Sequence, residues 1–358
     1  MFGWTTTRAD AYAVHCVCAF VLLAILIALP AGRLSGAGSA APQSTTGSSP
    51  GTAPELEQAK SLLDSGKVAD AERAARAFLQ THPDSAEGHF LLGLILFREI
   101  QARGADLSTR SYPATADEAG FRSEKAKESL AEFTEGARHR TPSAFDLKIV
   151  AFDYIMFSDY NDADKWLTRA AEMDPSDGDI WYNLARTKYS ENRFAEAIEG
   201  FQKCLALDPK NEKAENNLGL TLQGLGRTDE AVAAYKQAID WQADSPHKDN
   251  EPYLNLGSLL LDEDKPKEAL TYLLKANSIP PDDAKVHERL GKAYSHLDQL
   301  PQAQAELEKA VGLAPNVGSL HFMLGQVYRR EGQVEKAKVE LKRADELNGT
   351  HSSGATPH

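Results

Sequence analysis

Apolar residues recur along most of this chain at helical rather than strand spacing. From Gly178 to Asn211 the sequence forms two amphipathic segments, separated by a polar turn at 190–193 and followed by Pro209. Apolar positions at i, i+3, i+4 and i+7 of this kind predict helices with one buried stripe each. Trp181, Leu184, Ala185, Ala197, Phe201 and Pro209 stand at fixed offsets from the start of the stretch. The same offsets recur at 34-residue intervals in both directions. A fixed period of this length predicts a stacked array of helical hairpins, each unit burying its apolar face on its neighbours.

Small residues keep one register in the first helices: Ala151, Ala185, Gly219, Gly257, Gly291 and Gly325. A second set keeps one register in the second helices: Ala163, Ala197, Ala231, Ala269, Ala303 and Ala337. Glycine in a helix interior costs about 0.8–1 kcal/mol against alanine. Its return at one register therefore implies that the two helices of a unit must approach closely. The Leu before each small residue, and the Phe, Tyr or Leu of each second helix, are predicted to fill the space between helices. Proline after most second helices ends them.

This arrangement of Trp, Leu-Gly/Ala, Tyr, Ala, Phe, Ala and Pro resembles the tetratricopeptide repeat family. The resemblance implies an all-α, right-handed superhelical α-solenoid of about eight helix-turn-helix units. In this register the units fall near 52–85, 86–143, 144–177, 178–211, 212–249, 250–283, 284–317 and 318–351, within a solenoid spanning 54–351. The first is degenerate, with only Ala59 at the close-packing site of its first helix, as suits a terminal cap. The second is interrupted by an insert at 98–122 containing Gly104, Pro113 and Gly120. The insert is either an extension of the first helix followed by a loop, or a lid over the binding face. The fifth runs four residues long, and 352–358 reads as a disordered tail.

The first 31 residues depart from this pattern. An apolar run from Val17 to Leu29 is ended by Pro30 and Gly32, and small residues follow. Thirteen apolar residues match the core of a signal peptide and are short for a membrane span. Residues 1–31 are thus read as a signal peptide or a membrane anchor, 32–53 as a flexible Gly/Ser/Pro linker, and the body as extracytoplasmic. Cys16 and Cys18 begin the apolar run rather than follow it, which fits small membrane residues better than lipidation. That leaves Cys204 alone in the body, so no internal disulfide is expected there. Its register is occupied by Ala in other units, which predicts a small core residue.

The chain has 358 residues, is 42% hydrophobic and carries a net charge of −13. Phosphate binding needs a basic footprint, so nucleic acid is excluded as the main partner. No phosphate-cradling glycine loop is present. His287-Glu288 begins like a zinc-protease motif, but position 291 is Gly. Acidic pairs fall at helix starts, where they favour the helix dipole. The chain is therefore expected to be no enzyme, and to need no metal or cofactor.

In the tetratricopeptide family the concave surface is lined by the first helices. Carried onto this sequence, the resemblance places Phe90, Leu94, Phe97, Phe145, Lys148, Phe152, Ile155, Met156, Tyr182, Arg186, Tyr189, Lys292, Arg329 and Arg330 in a partner-binding groove. One part is apolar and aromatic, the other charged. Only Lys148, Asn183 and Lys213 match the family's carboxylate clamp. Phe152 and Asn217 break it, and the recurrence of Asn183, Asn217 and Asn255 at one offset suggests a structural role. The function so implied is a protein–protein interaction scaffold of the cell envelope or secretory compartment, holding a partner peptide or helix. The membrane is a further partner if residues 1–31 stay attached. The alternative is a substrate-engaging or assembly subunit of a membrane-associated polysaccharide or lipoprotein biogenesis complex. Phe152→Glu and Tyr189→Glu are expected to abolish partner capture without unfolding the array.

Overall fold

The computed structural model describes residues 53–103, 116–243, 245 and 248–352. The signal or anchor segment and nearly all of the linker expected before the array lie outside them. The described residues form sixteen α-helices and no strands. They run in order as α1 (Pro54–Asp64), α2 (Val68–Thr81), α3 (Ala86–Ala102), α4 (Ala116–His139), α5 (Ala144–Met156), α6 (Tyr160–Met173), α7 (Gly178–Ser190) and α8 (Phe194–Leu207). After these come α9 (Glu212–Gly224), α10 (Thr228–Trp241), α11 (Glu251–Asp262), α12 (Pro266–Asn277), α13 (Ala284–His296), α14 (Leu300–Leu313), α15 (Gly318–Arg330) and α16 (Val334–Ser352). The chain is an all-α solenoid. Its contacts divide it into two compact blocks, one ending at Thr187 and the other beginning at Lys188.

The small residues do what their register implied. A Cβ on Gly219 would lie 2.7 Å from the Tyr235 ring, and one on Gly291 would lie 2.6 Å from Leu307. In each case the larger side chain belongs to the second helix of the same repeat and fills the space the glycine leaves. Ala151, Ala163, Ala185, Ala197, Ala231, Ala269 and Ala303 are fully buried, and Cys204 is buried among them as a core residue. In the N-terminal block one cluster joins α3 to α7 around Phe97, Phe133, Tyr154 and Leu167, and another joins α1, α2 and α3 around Ala71, Ala75 and Leu92. In the C-terminal block the core runs through Tyr235, Leu256, Leu273 and Leu290, then through Leu307, Leu324 and Tyr328.

Within the stretch expected to be an insert, α3 continues through Ala102 and α4 begins at Ala116. Residues 98–102 and 116–122 are therefore helical, and 104–115 lie outside the described residues. The extended end of α3 is held by burial of Ile100 against Ala126, with Met156 and Phe157 packed beside them. It is also held by charge. Lys125 of α4 reaches Glu99 of α3 at 3.0 Å and Glu72 of α2 at 3.6 Å, while Arg76 of α2 reaches Glu128 of α4 at 2.8 Å.

Candidate interaction face

In the N-terminal block the expected groove residues lie on α3, α5 and α7. Helix α5 starts at a reciprocal cap: Ser143 Oγ accepts from the Asp146 N–H, and Asp146 Oδ2 accepts from the Ser143 N–H at 2.7 Å. Such a box satisfies two of the N–H groups that a helix start leaves without partners. Leu147, Ile149, Val150, Ala151 and Tyr154 turn into the core. Phe145 is left 44% exposed, and Phe152, Ile155 and Met156 are half-buried. Helix α7 is capped by Asp177, whose Oδ1 accepts from the N–H of Asp179 at 2.9 Å and of Ile180 at 3.3 Å. On α7 the Arg186 guanidinium stands over the Tyr182 ring, 5.5 Å from its centre, and both residues are half-buried.

Three of the expected groove residues are closed off. Phe90 is 5% exposed, because it packs onto Phe133 and against Gly136 of α4, under the Arg140 guanidinium. Phe97 is 2% exposed, because its ring stacks on Phe152 with centres 5.4 Å apart. Phe152 is thus half of a stack that ties α3 to α5. A carboxylate there would be set against the Phe97 ring, so Phe152→Glu disturbs packing as well as any partner. Lys148 is 8% exposed: its Nζ lies 2.8 Å from Asp177 Oδ2 and 3.8 Å from Asp179. Asp177 is the residue that caps α7, so this lysine fastens one repeat to the next and is not set to clamp a partner carboxylate. Leu94 is half-buried and packs against the same core.

In the C-terminal block two of the expected cations, Lys292 and Arg330, reach oxygens of the preceding repeat. Lys292 Nζ lies 3.3 Å from Asp262 Oδ1. Arg330 donates to the Ser295 carbonyl at 3.1 Å, to Ser295 Oγ at 2.6 Å and to Asp298 at 2.8 Å. Arg329 is exposed and donates to Gln326. Tyr189 tilts against Phe194, with ring centres 5.5 Å apart. Burial, together with the Glu308 carboxylate that accepts from its hydroxyl at 2.7 Å, raises the Tyr328 phenol above its ordinary range. This stretch is largely a ladder of internal pairs. The asparagines that recur at one offset are bonded within the array: Asn183 donates to the Asp179 carbonyl, Asn217 to the Lys213 carbonyl and Asn255 to Asn216 Oδ1.

Sequence reasoning passed over a second recurring set. His89, Trp181 and His321 share one register, and each places a ring nitrogen 2.8–2.9 Å from the carbonyl of Pro83, Pro175 or Pro315 in the turn before it. The other ring nitrogen of His89 and of His321 lies 2.6 Å from a glutamate of the same repeat, Glu132 or Glu340. The signal was present as a ring of any kind at the Trp register, six residues after a proline.

Tetratricopeptide repeat profiles match residues 56–99 and 157–212, residues 188–248, and residues 251–283, 284–317 and 318–351. The chain belongs to the tetratricopeptide repeat family. These matches leave out 100–156, the stretch that holds α4 and α5. The human protein O-mannosyl-transferase TMTC3 is 32% identical over 109 residues, covering 30% of this chain and 12% of that protein. Heat shock protein STI1 of Saccharomyces cerevisiae is 30% identical over 86 residues, covering 24% and 15% respectively. The chain therefore spans only a small part of the curated relatives it matches. Among solved structures, a tetratricopeptide repeat protein of Parabacteroides merdae superposes with a TM-score of 0.58 at 16% identity, covering 76% of this chain and 97% of the other. The pilus biogenesis factor PilW superposes with a TM-score of 0.51 at 20% identity, covering 56% and 92%. At these identities the likeness is one of fold.

Proposed function

We propose that this tetratricopeptide protein is a non-catalytic interaction scaffold, and that its N-terminal block holds an extended peptide or helix of a partner protein on the face formed by α5 and α7. The observation that carries this reading is Phe145, a large apolar ring left 44% exposed on a capped helix. Half-buried Ile155, Tyr182 and Arg186 belong to the same set of first-helix positions. Aromatic and arginine side chains of this kind dominate the energetics of protein interfaces. The apolar run from Val17 to Leu29 supports an extracytoplasmic setting, with the scaffold secreted or held at a membrane.

The test uses Phe145→Glu in the full chain, with affinity capture from the native envelope and circular dichroism on the same samples. Because Phe145 is exposed, the variant is expected to keep its helical signal and melting temperature and to lose at least one specifically captured protein. Retention of every captured protein by a folded Phe145→Glu chain overturns the assignment of this face. Membrane fractionation of the chain with and without residues 1–31 tests the setting: loss of export on deletion is expected, and unchanged export refutes it.

A further inference from the structure

Asp153 is fully buried where α3 and α4 meet α5. Its Oδ2 lies 2.6 Å from Ser129 Oγ, and the same Oγ lies 3.1 Å from the Gly93 carbonyl oxygen. A serine hydroxyl has one hydrogen to give, and a carbonyl oxygen can only accept. Both contacts are therefore satisfied together only when the carboxyl group is neutral and donates to Ser129; an ionised Asp153 would have to take the hydroxyl hydrogen away from the Gly93 carbonyl. Asp153 Oδ1 is buried and has no hydrogen-bond partner among the described residues. An ionised carboxylate left in that state carries a large desolvation cost, whereas a neutral carboxyl group carries much less.

The pair belongs to this joint in particular. Other repeats have Ala at the Ser129 register, as at Ala163 and Ala303, and Ile95, Leu259 and Val327 stand at the Asp153 register. Ser129 faces Asp153 from α4 and the Gly93 carbonyl completes the chain from α3, while α6 brings Ala163, Trp166 and Leu167 to the same core. The charged neighbours along α4 are engaged elsewhere: Lys125 with Glu99, Glu128 with Arg76 and Glu132 with His89. Burial pushes the Asp153 carboxyl well up, against a smaller opposite pull from the Ser129 hydrogen bond, and no charged group contributes.

We propose that the joint between the second and third repeats is locked by the Asp153 proton, and that alkaline pH releases this proton to solvent and loosens the contact of α4 with α5 before the other joints of the N-terminal block. The folded chain holds the proton more tightly than the unfolded chain does. The lock is therefore complete in acid, below the ordinary carboxylate range, and is lost as pH rises through the folded-state value. The inference does not depend on which partner the scaffold takes.

Hydrogen exchange of the full chain at pH 6 and pH 9, corrected for the intrinsic exchange rate, tests it. Protection in α4 and α5 is expected to fall with pH, about tenfold for each pH unit between pH 6 and the folded-state value. Asp153→Asn, whose amide donates to Ser129 without ionising, is expected to remove that pH dependence. An Asp153→Asn chain with the wild-type pH dependence overturns the proposal. So does a carboxyl carbon resonance of Asp153 in the wild-type chain that titrates in the ordinary carboxylate range. The second measurement decides the matter even if the variant fails to fold.

Discussion

Seven turns of the array place one residue in the left-handed region at the same register: Gly66, Ser158, Asn192, Gly226, Asp264, Asp298 and Gly332, with φ between 55° and 76°. Each ends a first helix, so the position is a helix C-terminus that glycine fits without a Cβ penalty. Asparagine and aspartate tolerate it, but serine at 158 (φ 59°) has the least reason to be there. Ser158→Gly is expected to stabilise the N-terminal block by about 0.5–1 kcal/mol, once the greater freedom of glycine in the unfolded chain is allowed for. Urea unfolding followed by circular dichroism measures it, and a lower midpoint would show that Ser158 is not strained. At this scale the sequence was a good guide to which residues are small and why. It was a poor guide to Phe90 and Phe97, because the register that opens a side chain to a groove in an ordinary repeat is covered here by α4 and by Phe152.

Helices of this array are joined by side chains that reach across the turns. Ring nitrogens of His89, Trp181 and His321 meet proline carbonyls of the turn before them, and Lys148 holds the cap of α7. Where the connection between α10 and α11 is longer, Gln242 replaces these devices. It is 1% exposed, accepts from the Asp249 N–H at 2.7 Å and donates to the Asp249 carbonyl at 3.1 Å. Removing one partner of a buried hydrogen bond leaves the other without solvent. Gln242→Ala is therefore expected to cost about 1–3 kcal/mol and to raise hydrogen exchange at the start of α11 first. Uniform loss of protection along the C-terminal block would count against a local staple. The long connection itself was legible as four extra residues. The staple was not, because nothing local marks a glutamine whose partner is a backbone seven residues on.

The array depends at the level of the whole molecule on nearest-neighbour packing, and the repeat at 318–351 shows it. Leu324, Val327 and Tyr328 of α15 pack onto Ala303 and Leu307 of α14, while α16 sends Lys338, Lys342, Arg343, Asp345 and Glu346 to water. The repeat covers apolar surface that the preceding repeat would otherwise expose. Deletion of 318–352 is expected to uncover the Leu307 face, raise binding of a hydrophobic dye and lower the unfolding midpoint of the C-terminal block. An unchanged midpoint would mean that the final repeat adds no coupling. The internal pairing of Lys292 and Arg330 occupies these two cations within the array, in keeping with the proposal that a partner is held on the face of α5 and α7.

The sequence by itself determined the all-α repeat architecture, the register of the close-packing glycines and alanines, and the burial of Cys204. Each of these is written in a short period that the chain repeats, and a buried stripe every three or four residues requires no knowledge of distant partners. Only the tertiary structure decided which first-helix side chains remain open. Phe97 is covered by Phe152, Lys148 is taken by Asp177, and Asp153 is sealed against Ser129, so each outcome depends on residues far along the chain whose approach no local pattern records.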